Sequence, residues 1–164
     1  MRAIVSAMRH LPGLHRTKAL EAIWNAAIPL AGLPVDLPGV LSFVLVTKYR
    51  MTRLNALHLH HEGATDVITY DLRTGGQTTP LLPDEEPLLA EIYLCPEVAQ
   101  EQARQLGSSS PSRELCLYGV HGLLHLAGED DLTEAARQSM RLAEARVLSS
   151  LAKQFSLEGF LSFL

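Results

Sequence analysis

The sequence predicts an α+β fold, a small mixed four-stranded sheet packed with about five helices in a single domain over residues 1–164. Three observations predict it. Strand-like and helical segments come in mixed order, without the strict alternation of a doubly wound sheet. A length of 164 residues is that of one domain. The 47% hydrophobic content supports a real core, and with 5% aromatics that core must be mostly Leu, Val, Ile and Ala.

Residues 3–8 read as a short first strand closed by Pro12 and Gly13. From 16 to 31, Leu20, Ile23, Trp24, Ala27 and Leu30 recur at helical intervals, and Gly32 and Pro34 lie just beyond. Leu41 to Thr47 is rich in β-branched residues and reads as the clearest strand. Lys48 to about His61 is predicted helical, with Met51, Leu54 and Leu57 on one side. Its Arg50, Arg53, His58, His60 and His61 read first as a solvated face. Thr65 to Asp71 enters a strand. Residues 73–88, rich in Gly, Thr and Pro, read as a loop. Glu91 to Cys95 is a strand expected to pair antiparallel with 67–72. Pro96 suits a helix start, and that helix should run to Leu106 before a link at 107–111. A further helix is predicted from 112 to 127 with Ser112 as N-cap. In the last helix, capped by Thr133, Ala136, Met140, Ala143, Val147 and Leu151 form an apolar stripe.

A net charge of −4 argues against a broad basic surface, though not against a local basic cleft. Cys95 and Cys116 form no C-x-x-C pair and read as small buried hydrophobes. The N-terminus is broken by Arg9 and His10 before it reaches the apolar length of a signal peptide, and no run of about 18 apolar residues suggests a membrane span. A cytoplasmic protein without a membrane partner is expected.

The chemistry concentrates in His121-Gly122-Leu123-Leu124-His125-Leu126-Ala127-Gly128-Glu129-Asp130-Asp131. Histidines four apart on a helix share one face, one turn from each other. Gly128 allows a helix to end at positive φ, so that the chain folds back and Asp131 reaches the same point. His121, His125 and Asp131 are therefore the candidate ligands of one divalent metal ion, zinc by donor type. Asp130 should bond the backbone or a ligand histidine, and Glu129 should face solvent. The spacing is that of helix-plus-turn zinc proteases, but the glutamate that follows their first histidine is Gly122 here. Gly122 cannot move a proton, which argues against peptide hydrolysis by that route. No catalytic acid or base is assignable from sequence.

This run resembles the H-G-x-L-H-L-x-G-x-D-H signature of the YbeY family of bacterial metal-dependent endoribonucleases. His121, Gly122, Leu124, His125, Leu126, Gly128 and Asp130 match it. Leu54-Asn55 also matches, Thr65-Asp66-Val67-Ile68-Thr69-Tyr70 resembles the family's T-D-V-L-S-F, and Glu91 to Cys95 resembles its G-D-I-V-I-C. The resemblance implies a hydrolase that cleaves single-stranded RNA in maturation of ribosomal RNA, at the 3′ end of the small-subunit (16S) RNA, and in ribosome quality control. It implies RNA and the small ribosomal subunit as partners, with ribosomal proteins or an assembly GTPase besides. The alternatives are another metal-dependent hydrolase, or a non-catalytic ribosome-associated factor with a structural metal. Two positions depart from the family pattern. Its third histidine ligand is Asp131 here, and an arginine six residues before the Thr of T-D-V is Leu59. His58, His60, His61 or Arg53 are candidate replacements for that cation.

Overall fold

The computed structural model describes residues 1–58, 66–73 and 85–164. Among these residues the chain runs β1 (Arg2–Ala7), α1 (Thr17–Leu30), β2 (Val40–Leu45), α2 (Lys48–His58), β3 (Val67–Asp71), β4 (Leu88–Leu94), α3 (Pro96–Leu106), α4 (Pro111–Leu126) and α5 (Glu134–Ala152). The strands form one sheet in the order β1-β2-β4-β3. β1, β2 and β4 are parallel, and β3 pairs antiparallel with β4, Thr69 opposite Ile92. The mixed α+β architecture is the one expected.

One face of the sheet carries the main core. Leu41, Phe43 and Leu45 of β2 and Ala90, Ile92 and Leu94 of β4 are buried beneath α1 and α4. α1 supplies Leu20, Ile23, Trp24, Ala27 and Ile28, and the Trp24 ring stacks on Phe43 with centroids 4.5 Å apart. Each such fully buried side chain stabilises the fold by about 1.5–3 kcal/mol. The polar side of α1 also has a role that periodicity cannot show. Asn25 Oδ1 accepts from the Ala3 amide at 2.9 Å, Asn25 Nδ2 donates to the Ala3 carbonyl at 3.0 Å, and Glu21 accepts from the Val5 amide at 2.8 Å. These side chains satisfy the outer edge of β1, which would otherwise offer unpaired backbone.

The opposite face holds a smaller cluster: Val46, Met51, Leu54, Ile68, Cys95 and Val98. Here α2 departs from expectation, because Leu57 is 61% exposed while Met51 and Leu54 are buried. Leu59, His60, His61 and the side chain of His58 lie outside the described residues, as do residues 74–84 of the expected 73–88 loop. Leu88, placed in that loop from sequence, opens β4.

Ser112 is not the cap of α4. Ser110 is: its hydroxyl accepts from the Arg113 amide at 3.1 Å, and Pro111 occupies the first turn. The helix starts two residues earlier than expected because Pro111 fixes the helical φ and needs no hydrogen-bond acceptor. Ser112 is buried instead, its Oγ accepting from the amides of Phe160 and Leu161 and so anchoring the C-terminal segment. Cys95 and Cys116 are buried free thiols, pushed up to about 11 and about 12 by burial, and they stay protonated as small hydrophobes.

Candidate metal centre

α4 reaches the site because two glycines let it lie unusually close to its neighbours. A Cβ on Gly119 would stand 2.1 Å from Trp24 Nε1, and one on Gly122 would stand 2.8 Å from Ile92 Cγ2. The glycine that removes a protease-type base is thus also the contact point between the helix and the sheet. His121 and His125, one turn apart, project beside β3 with ring centroids 4.5 Å apart and near perpendicular.

The helix ends as the sequence predicts. Gly128 takes φ +104°, its amide donates to the His125 carbonyl at 3.1 Å, and the Glu129 amide donates to the Leu124 carbonyl at 3.0 Å. This paired closure turns the chain back along the helix. Asp130 Oδ1 accepts from the Leu132 amide at 3.1 Å, so its bond is to backbone and not to a histidine. Thr133 caps α5, as predicted, by accepting from the Ala136 amide. Arg137 Nη1 donates to the Asp131 carbonyl at 3.3 Å and steadies the turn from α5.

The result is a convergence of acceptors. One ligand atom from each of His121, His125 and Asp131 lies within 4.8 Å of the others, a cluster that could hold a metal ion. The two Nε2 atoms are 2.9 Å apart, and Asp131 Oδ2 is 3.8 Å from each. A tetrahedral zinc with bonds of about 2.0–2.1 Å sets neighbouring donors about 3.3 Å apart, between these two values. The far sides of both rings are occupied. His121 Nδ1 meets Glu144 Oε1 at 2.9 Å, and His125 Nδ1 meets the Glu129 carbonyl at 3.1 Å. With each Nδ1–H donating to oxygen, both Nε2 lone pairs aim at one point beside a carboxylate. Such a point calls for a cation, and the residues fit one. Burial is the largest influence on His121 and lowers its pKa, but Glu144, Asp66 and Asp131 together outweigh it and hold the imidazole above its ordinary value. A proton is attracted there for the same reason a metal would be.

Beside these groups lies a cavity of about 270 Å³, lined also by Val67, Thr69 and Asp71 of β3. Asp71 is held below the ordinary carboxylate range by Arg73, which pairs with it at 2.7 Å and also donates to the Leu126 carbonyl at the end of α4.

Sequence reasoning missed Glu144 and the backbone carbonyl of Glu129. Glu129 is half-buried, its Oε2 accepts from Ser139 at 3.4 Å, and its carbonyl orients His125. A backbone acceptor leaves no trace in residue type. Glu144 did leave one: it sits four residues after Met140 and three before Val147, an acid on the buried stripe of α5.

A family model described as Endoribonuclease YbeY matches residues 13–152. The chain belongs to the Endoribonuclease YbeY family. Relatives bearing that family name include one from Acidothermus cellulolyticus, 38% identical over 114 residues, which are 67% of this chain and 69% of the relative. One from Salinispora tropica is 36% identical over 136 residues, covering 77% and 86%. One from Desulforamulus reducens is 32% identical over 134 residues, covering 82% and 85%. The solution structure of a Thermotoga maritima protein covers 95% of this chain and 97% of its own at a TM-score of 0.55 and 22% identity, which establishes likeness of fold. The stretch matched by the YbeY model contains the whole histidine–aspartate cluster.

Proposed function

We propose that this chain, acting as one unit over residues 1–164, is a cytoplasmic metal-dependent endoribonuclease that cuts single-stranded RNA. The RNA is ribosomal, cut at the 3′ end of the small-subunit 16S species, with a further role in ribosome quality control. Ribosomal proteins or an assembly GTPase are its protein partners. His121, His125 and Asp131 hold one divalent ion, zinc by the donor set.

One observation carries the reading: two imidazole Nε2 atoms and a carboxylate converge while both Nδ1 atoms are tied back to oxygen. When bound, the ion supplies Lewis acidity toward a phosphoryl oxygen and a water. The protein does the rest. Glu144 and the Glu129 carbonyl keep each ring in the tautomer that presents Nε2. Asp131 adds negative charge to the donor set, so water there is less acidic than beside three neutral histidines. Gly122 leaves no proton acceptor at the position a peptidase would use. Three donors among the described residues, where a structural zinc takes four, leave room for substrate in the adjoining cavity. Digestion of single-stranded RNA and of casein by the zinc-loaded chain tests the proposal. RNA cleavage lost in His121→Ala is expected; casein cleavage without RNA cleavage would overturn it.

A further inference from the structure

The sequence leaves the RNA grip unexplained, because Leu59 stands where the family pattern has a cation. The structure offers a surface elsewhere. α2 (Lys48–His58) contains no acid, in a chain whose net charge is −4. The carboxylates of α3 account for one of its cations: Lys48 Nζ pairs with Glu101 at 2.6 Å, and Glu97 takes the Lys48 amide. Arg50 and Arg53 remain, exposed, and neither meets a carboxylate among the described residues. Tyr49, beside Arg50 in the chain and one helical turn before Arg53, is 71% exposed. Arg53 Nη1 donates to the Tyr49 hydroxyl at 3.3 Å, and its guanidinium carbon is 5.9 Å from the ring centroid. Leu57, four residues beyond Arg53, is 61% exposed on the same stripe.

An exposed ring beside guanidinium groups that meet no carboxylate among the described residues is what single-stranded nucleic acid uses: bases stack on the ring and phosphates meet the cations. We infer that the outer face of α2, through Tyr49, Arg50 and Arg53, is the track that carries single-stranded RNA to the metal cavity. Charge selects the occupant, since this basic, acid-free helix complements a polyanion. Continuity supports it. Met51 and Leu54 share a buried cluster with Ile68 of β3, and the neighbouring Thr69 and Asp71 of that strand line the cavity. Arg50 lies close enough to β4 to pull against the rise that burial and Glu91 impose on Tyr93. A strand passing over the sheet's β3 edge would therefore join the two faces. The inference rests on the proposed nuclease function and names the surface that serves it.

The test measures the affinity of the zinc-loaded full chain for a labelled single-stranded RNA of about 12 nucleotides as salt is varied. Two phosphate contacts at about 0.7 each should reduce the slope of log K against log salt by about 1.4 in Arg50→Ala/Arg53→Ala. Tyr49→Ala should weaken binding roughly tenfold or more, and Tyr49→Phe should restore it, since stacking needs the ring and not the hydroxyl. Metal content and thermal midpoint should stay at the parent values in all three, which separates grip from folding. If the parent binds and cleaves RNA but the variants keep its affinity and slope, the track is overturned and the nuclease reading survives. If the variants instead lose self-association in sedimentation at unchanged RNA affinity, the face belongs to a second copy and the inference fails. If the parent neither binds nor cleaves RNA, both readings fall.

Discussion

The two faces of the sheet are built to different tolerances. On the α4 face, the helix is pressed onto Trp24 at Gly119 and onto Ile92 at Gly122, with no room for even a methyl group. On the α2 face, Met51 and Leu54 seat the helix, and Tyr49, Arg50, Arg53 and Leu57 face outward. The difference matches the work proposed for each face. Metal ligands must be held to a few tenths of an ångström, and close packing of an interior supplies that rigidity. Phosphate attraction falls off over several ångströms and tolerates mobile side chains. Precision is built with glycines and buried rings on one side, and charge is displayed with few packing demands on the other.

The sharpest way to break this comparison is at the ligands. His121→Ala or His125→Ala should abolish stoichiometric metal by elemental analysis, while Asp131→His should retain it because imidazole suits the same tetrahedral site. One tightly bound ion per chain in either alanine variant would mean that the converging nitrogens are not the ligands. Next in size is the packing that aims them. Gly119→Ala should cost about 3 kcal/mol or more, since the added Cβ collides with an indole that is itself stacked on Phe43. Calorimetry should then show the midpoint lowered by roughly 6–12 °C; an unchanged midpoint would show that α4 can shift freely.

Glu144→Ala should weaken metal affinity about 10–100-fold through loss of ring orientation, with the fold retained. Glu129→Ala should do little in the same titration, because the carbonyl that holds His125 remains. Equal losses in the two variants would contradict that assignment.

A smaller effect belongs to Glu114, on the buried side of α4. Burial raises its carboxyl above the ordinary 4.5, partly offset by the hydroxyls of Ser109 and Tyr118. The folded chain therefore holds this proton more tightly than the unfolded chain. Stability from this group is full below 4.5 and declines as pH rises through the higher folded value. Glu114→Gln should flatten that decline in denaturant titrations and leave the chain more stable at neutral pH. A steeper decline in the variant would reverse the sign. Least of all, Arg50→Ala and Arg53→Ala should alter stability by no more than about 0.5 kcal/mol. A larger loss by chemical denaturation would give α2 the tight packing that only the α4 face is credited with.

Much of the fold was legible because it is written in short-range periodicity. The α1 stripe, the β2 run, the Pro96 start and the Thr133 cap each depend on neighbours within one or two turns. Leu57 failed because periodicity marks an apolar face without saying how far the covering surface extends, and the small second cluster ends before reaching it.

The sequence by itself determined the helix, its glycine-ended turn and the grouping of His121, His125 and Asp131, since a spacing of ten residues spans only one helix end. Only the tertiary structure decided which groups hold the imidazoles and why Gly119 and Gly122 are glycine. Glu144 comes from 23 residues away, and the rings that forbid a Cβ come from α1 and β4. Those contacts depend on how three elements pack, and packing sums dispersion and excluded volume over residues that are remote along the chain. No local pattern encodes that sum.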